Sequence, residues 1–305
     1  MKIDFLIVGQ GIAGSMLCHF LLQAGKNVLV VDDGHKHAAS PASLGLLNPI
    51  TGRNLNKAWN ADVLLPFAKK TYQEFEQLLG QDFYREINSV RLFIDEKQQK
   101  RWQKKKDAPE IQPHIVALIH ENPCLGQIQN PFGGVEIRGS AQVENKKLLH
   151  SYREFLVENG AFTQTTVDAG AIILADSEAK WQHVTAANII FCDGYKSAKN
   201  PFFDWLPLFP NKGEALLAKI PNLDIDKIIN RGFFIAPNGD GRYRIGATHN
   251  WSEIDNKPTE RGKEELLTKL SSILESSCKI LAHEAGVRPN SSDRKPIIGL
   301  HPKHP

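Results

Sequence analysis

Apolar and polar residues follow one another along this chain in blocks whose lengths distinguish strand from helix. Ile3-Asp4-Phe5-Leu6-Ile7-Val8 is a short apolar run of buried-strand length, and Val28-Leu29-Val30-Val31 is a second. Between them Ala13, Leu17, Leu21 and Ala24 recur at helical spacing until Gly25 supplies a stop. Further helices are predicted over residues 62–80, with Ala68, Tyr72, Phe75 and Leu79 inward, over 96–106, and over 144–159, with Leu148, Tyr152 and Phe155 inward. Another starts at Thr259 and turns Leu266, Leu267, Leu270, Ile273 and Leu274 inward. Strand-like runs fall at 83–95, 135–138, 161–167, 171–174, 181–185, 188–192, 214–220, 228–236, 242–247 and 280–287, and Pro237-Asn238-Gly239-Asp240-Gly241 reads as a hairpin turn. A helix followed by several short strands is not the alternation of one doubly wound sheet. The pattern predicts an α/β chain in which a dinucleotide-binding domain carries an antiparallel insertion.

Chemistry enters at the first loop. The opening strand runs directly into Gly9-Gln10-Gly11-Ile12-Ala13-Gly14, a GxGxxG turn, and the second strand ends at Asp32. Gly9 permits the tight turn, Gly11 lets backbone approach a pyrophosphate, and Gly14 lets the helix pack on the sheet. The pyrophosphate then meets a helix N-terminus, and Asp32 falls where a ribose hydroxyl needs an acceptor. After a polar loop, residues 41–53 are rich in small residues, glycine and proline. Such a segment suits either a turn-rich connection or a backbone passing beneath a bound cofactor.

Composition narrows the picture. At 305 residues the chain suits one large domain or two interleaved ones, and a formal charge of +3 gives no case for nucleic acid or membrane binding as the main activity. Cys18, Cys124, Cys192 and Cys278 form no CxxC pair, which favours reduced thiols and a cytoplasmic location. No apolar run approaches transmembrane length. His19, His249, His301 and His304 have no spacing that pairs them with acids or cysteines, so no metal and no side-chain general base is expected.

Several segments together resemble the D-amino-acid oxidase and glycine oxidase family of FAD-dependent amine oxidoreductases. The opening turn is similar to the family's FAD fingerprint, and Ala42-Ser43-Leu44-Gly45-Leu46-Leu47-Asn48-Pro49 to the segment beside the flavin ring. Lys212-Gly213-Glu214 and Ile245-Gly246-Ala247-Thr248 resemble landmarks of the substrate-side sheet, and Ala285-Gly286-Val287-Arg288-Pro289 with Lys295-Pro296-Ile297-Ile298-Gly299 resembles the most diagnostic block. The resemblance spans nearly the whole chain. It implies a Rossmann-like, glutathione-reductase-type FAD domain interleaved with an α+β substrate domain built on a mostly antiparallel sheet. Residues 1–60, 135–205 and 280–305 would form the FAD domain, and 61–134 and 206–279 the substrate domain.

The same resemblance implies oxidation of a C–N bond in an amine or amino acid by hydride transfer to flavin. It places Gly9, Gly11, Ile12, Ala13, Gly14, Asp32, Asp33, Ser43, Gly45, Leu46, Leu47, Val167 and Gly194 around FAD, and Arg288, Phe234 and Arg53 around the substrate. A guanidinium fork suits a carboxylate because it binds two oxygens at once and stays charged in a pocket. Phe234 stands where the family often has tyrosine, so Tyr243 and Trp251 are candidate replacements. Cys192-Asp193-Gly194 stands where it has a small-residue turn. Family members continue past the point matching Pro305 with a strand, a glycine-rich turn and a helix, so a truncated chain is expected. Three other readings follow: an amine on a modified tRNA base as substrate, an NAD-dependent dehydrogenase, and a non-catalytic dinucleotide-binding protein.

Overall fold

A computed structural model describes residues 1–120, 127–175 and 178–304. The chain opens with β1 (Lys2–Val8), α1 (Ile12–Gln23) and β2 (Val28–Asp32), as the apolar runs predict. Three short strands follow, β3 (Leu46–Leu47), β4 (Ile50–Thr51) and β5 (Asn56–Lys57), and then α2 (Ala61–Leu79), β6 (Tyr84–Glu86), β7 (Ser89–Leu92) and α3 (Glu96–Lys105). Next come β8 (Ile115–Ile119), β9 (Gly134–Ile137), β10 (Ala141–Val143), α4 (Asn145–Glu158), β11 (Phe162–Gln164), β12 (Ile173–Ala175), β13 (Glu178–Trp181) and β14 (Val184–Phe191). The last third holds β15 (Leu208–Lys219), β16 (Ile228–Asn230), β17 (Phe234–Pro237), β18 (Arg242–Gly246), α5 (Glu260–Ser271) and β19 (Lys279–Ser291).

One sheet has the order β11-β2-β1-β14-β13-β12, with β11, β2, β1 and β14 parallel and β13 and β12 antiparallel. Parallel strands covered on both faces need apolar residues at successive positions, which explains the runs Phe5-Leu6-Ile7-Val8 of β1 and Val28-Leu29-Val30-Val31 of β2. Val28 and Val30 point to the side where Cys18 of α1, Phe75 of α2 and Tyr152 of α4 pack. Leu29 and Val31 point to the other side, with Trp181 and Val184. Each such side chain contributes about 1.5–3 kcal/mol by leaving water. On α1 Leu17 and Leu21 pack half-buried against the core as expected, while Gly14, Ser15, Cys18 and His19 are the fully inward residues and Ala13 is exposed, because Gly14 draws the helix against the turn below it.

The second sheet is larger, with the order β19-β15-β18-β17-β16-β7-β9-β8, antiparallel except between β16 and β7. Its period-two alternation sends Leu216, Ile235 and Ile245 to one face, where Leu266 and Leu270 of α5 cover them. Ala215, Phe234 and Ala236 go to the other face, where Leu44 and Leu46 pack. That face is the one turned toward the segment expected beside the cofactor.

Two local expectations change. Residues 181–185 are not one strand: Trp181 ends β13, Gln182 at φ 51° and His183 form the hairpin tip, and Val184 and Thr185 open β14. The run 228–236 is broken between β16 and β17, where Arg231 N–H donates to Phe233 O at 2.9 Å. β9 and β19, which fall within the residues expected in the first domain, pair with β7 and with β15 in the large sheet. Among the described residues no helix is long and apolar enough to cross a membrane, no cluster of His, Cys, Asp and Glu is arranged for a metal, and Cys18, Cys192 and Cys278 are free thiols. Cys124 lies outside the described residues.

Candidate active site and cofactor cradle

The glycines of the opening turn separate into two kinds. A Cβ on Gly9, which sits at φ +102°, would stand 2.5 Å from Cys192 O, and one on Gly14 would stand 1.9 Å from Gly9 O, so the protein's own packing demands both. Gly11 is different: the nearest atom to a Cβ there is Ser40 Oγ at 3.4 Å. Its openness has no packing explanation and leaves backbone free to meet a ligand. No side chain of the N-cap Gly11 closes the first turn of α1, and Ile12 N–H donates to Ser40 Oγ at 3.2 Å. A helix start of this kind receives an anion readily.

Asp32 lies nearly buried at the end of β2. Its Oδ1 accepts from Gly34 N–H, His35 N–H and Arg153 Nη2, at 2.9, 2.8 and 2.8 Å, whereas among the described residues Oδ2 accepts only from Gln10 N–H at 2.9 Å. Arg153 also donates through Nε to Gln10 Oε1 at 2.7 Å, so α4 holds both the turn and the acid in place. Oδ2 keeps acceptor capacity for a ribose hydroxyl. The open glycine, the helix start and this acid fit an adenine dinucleotide.

The other residues expected around the cofactor lie on several separate segments. Asp33 takes His37 Nδ1 at 2.7 Å and Lys196 Nζ at 2.9 Å; burial alone would raise its carboxyl, but these donors hold it below the usual range. Gly194, at φ +61°, opens the 3-10 turn Gly194–Lys199, and the Asp193 carboxylate is taken up inside that turn by Ser197 Oγ and by Asn200 Nδ2 at 3.1 Å. Ser43 Oγ accepts from Asn145 Nδ2 at 2.6 Å and donates to Ser40 O at 2.9 Å. Gly45 is needed for packing, since a Cβ there would stand 1.9 Å from Val143 O, and Leu46 and Leu47 pair with β10. Val167 packs with the Leu29 and Val31 side of the first sheet.

On the large sheet, Arg288 of β19 lies opposite Asn211 of β15 and reaches across Gly213, where a Cβ would stand 2.2 Å from Nη2. Arg288 Nη1 donates to Asn211 Oδ1 at 2.7 Å, and both terminal nitrogens reach Thr248 O at 3.4 Å. Burial lowers the pKa of this guanidinium, and among the described residues it forms no ion pair with a carboxylate. The three residues of Lys212-Gly213-Glu214 thus have separate duties. Lys212, fully buried, donates to Asp255 at 2.7 Å; Gly213 makes room for Arg288; Glu214 faces the opposite side and accepts from Thr259 N–H and Oγ1 at 2.8 Å each, holding the start of α5. His283 Nε2 stands 2.8 Å from Glu214 Oε2, without the angle of a hydrogen bond.

Phe234 shares the inner face with Ala215, Leu44 and Leu46. Tyr243 does not replace it: its ring is buried in the core under α5 and its hydroxyl donates to Leu223 O, while Trp251 is exposed. Arg53 is exposed on the loop between β4 and β5, and its carbonyl accepts from Gln98 Nε2 at 3.2 Å. Its neighbour Gly52 is tied by a carbonyl to the buried Arg91, which also donates to Asn230 Oδ1 at 2.9 Å and whose pKa burial lowers to about 10. His19 is a core residue whose ring centroid lies 4.2 Å from that of Phe75, with the two rings tilted. Sequence reasoning missed Asn211, Arg153 and Arg91. Each lies on a regular element among ordinary neighbours, and only the strand pairings and helix packing bring it to the site.

A turn that fits an adenine dinucleotide and a sheet that carries a half-buried guanidinium are the chemical features this chain offers to a redox enzyme. The family model for FAD dependent oxidoreductases (DAO) matches residues 4–305, and the chain belongs to that family. It is 24% identical to a glycine oxidase of Bacillus licheniformis, over 99% of this chain and 85% of that protein. It is 23% identical to a tRNA 5-methylaminomethyl-2-thiouridine biosynthesis bifunctional protein of Leptospira borgpetersenii, over 96% of this chain and 47% of that one. The crystal structure of glycine oxidase from Geobacillus kaustophilus superposes with a TM-score of 0.82 at 19% identity, covering 99% of this chain and 87% of that one.

Proposed function

We propose that this chain oxidises the C–N bond of a small amine that carries a carboxylate, an amino acid in the simplest case. The observation that carries this reading is Arg288: a half-buried guanidinium, laid across Gly213, held by neutral acceptors and without an acid of its own among the described residues. Charge-assisted, two-oxygen recognition of a carboxylate is the use such a fork has in a pocket. Glycine oxidase as a relative supports the same substrate class.

When bound, FAD supplies the two-electron acceptor for hydride transfer from the substrate carbon. Gly11 and the start of α1 would receive its pyrophosphate and Asp32 its ribose, with the segment through Ser43, Gly45, Leu46 and Leu47 beside the ring. Arg288 would hold the carboxylate, and Phe234 would supply an apolar wall, so that the amine-bearing carbon is oriented rather than activated by a side-chain base. The amine nitrogen's lone pair forms the C=N bond as the hydride leaves, and water then hydrolyses the imine. We place the protein in the cytoplasm on the strength of its free thiols.

An amine on a modified tRNA base is a second reading, favoured by the Leptospira relative; the formal charge of +3 weighs against strong binding of a polyanion. Anaerobic incubation of the FAD-loaded protein with glycine, N-methylglycine and methylamine tests the proposal. Reduction by the first two and not by methylamine is expected. Reduction by methylamine at the same rate as by glycine would remove Arg288 from substrate recognition.

A further inference from the structure

Asn211 is 0% exposed, and each polar atom of its amide has a partner. Its Oδ1 accepts from Arg288 Nη1 at 2.7 Å and meets His249 Nδ1 at 2.9 Å, and its Nδ2 donates to Asn250 O at 3.1 Å. The amide cannot be turned over, because a guanidinium only donates and an NH2 group facing it would leave both sides unpaired. Since Oδ1 accepts, the proton of His249 sits on Nδ1, and its Nε2 is left as the acceptor of the neutral ring. Burial, and then the adjacent Arg288, lower the pKa of that histidine.

The side chain at 211 is therefore the part of the protein that aims Arg288, and it does so without a charge. An aspartate has the same shape and would bind a guanidinium more strongly. It would also neutralise it. A half-buried cation left with neutral partners is an unfavourable arrangement for the protein alone and a favourable one for capturing an anion. We propose that Asn211 is a positioning and specificity-determining residue: it orients Arg288 while leaving its charge unspent, which reserves the site for amines bearing a carboxylate. The proposal rests on the reading that Arg288 binds substrate.

Acetate serves as a carboxylate that cannot be oxidised. Its dissociation constant is measured on the full-length FAD-loaded protein by calorimetry and by the shift it causes in the flavin spectrum, alongside KM and kcat for glycine. In Asn211→Asp, acetate binding and KM for glycine are expected to weaken tenfold or more with a smaller change in kcat. Asn211→Leu, which keeps the size and removes the acceptor, is expected to weaken them less. A purely structural role predicts the reverse order, with the isosteric aspartate the milder change, and that order would overturn the proposal. Arg288→Met separates the two levels. If it abolishes acetate binding while Asn211→Asp binds acetate like the unaltered protein, the role of Asn211 falls and that of Arg288 stands. If it leaves acetate binding unchanged, both fall. Should Asn211→Asp not fold, equal acetate binding in Asn211→Leu and the unaltered protein would overturn the proposal alone.

Discussion

Arg288 and Gly213 occupy one space between two strands: the guanidinium of one lies where the side chain of the other would be, 2.2 Å from the position of a Cβ. A glycine in mid-strand normally weakens a sheet, and here it lets an arginine on the neighbouring strand lie across its own sheet toward Thr248.

Gly213→Ala is expected to displace the guanidinium at little cost to the fold, because the clash is with the far end of a flexible side chain. A hydrogen bond to a charged group contributes about 1.5–3 kcal/mol, so KM for glycine should rise about 10- to 100-fold. Steady-state kinetics together with a melting curve check both halves.

Gly11 and Gly14 should respond oppositely to the same substitution. Gly14→Ala drives a methyl group into backbone at 1.9 Å and is expected to lower stability by about 2 kcal/mol or more in urea unfolding. Gly11→Ala meets nothing nearer than 3.4 Å, so the fold should hold while FAD affinity falls at least tenfold by fluorescence titration.

Glu214→Ala removes the acceptor for Thr259 N–H and Oγ1 at the start of α5. A loss of about 2 kcal/mol is expected from urea unfolding, with a smaller loss for Glu214→Gln, which keeps one oxygen. Equal stability of Glu214→Ala and the unaltered protein would contradict the assignment of this acid to the helix start.

Asp33 gives the protein an acid-sensitive tie. Its folded pKa lies below the ordinary value, so its contribution is present above the unfolded pKa and is lost as pH falls through the folded one. Asn at this position should lower the melting temperature at neutral pH, and the difference should shrink below about pH 4, the ordinary carboxylate range. A pH-independent difference would assign the effect to something other than the pairs with His37 and Lys196.

What the sequence made legible was local. The strand, turn and helix through Gly9 and Gly14, the helix starting after Thr259 and the hairpin at 237–241 depend on nearby residues, and the apolar periods display them. Arg288 stood out only through family likeness. The remainder depends on pairings between distant segments. β16 runs parallel to β7, which carries Arg91, and β11 returns to the edge beside β2. Gly45 looked like a residue for approaching the cofactor, and the carbonyl of Val143 by itself already requires glycine there. Asn211 carries no sequence signal, because a buried asparagine on a strand is recognised only by what lies opposite it.

The measurement closest to the central claim is anaerobic reduction of the FAD-loaded chain by amines matched in all but the carboxylate. Glycine should bleach the visible flavin band where methylamine does not, and Arg288→Met should erase that preference. Bleaching by methylamine as fast as by glycine, or an unchanged preference in Arg288→Met, would contradict the account.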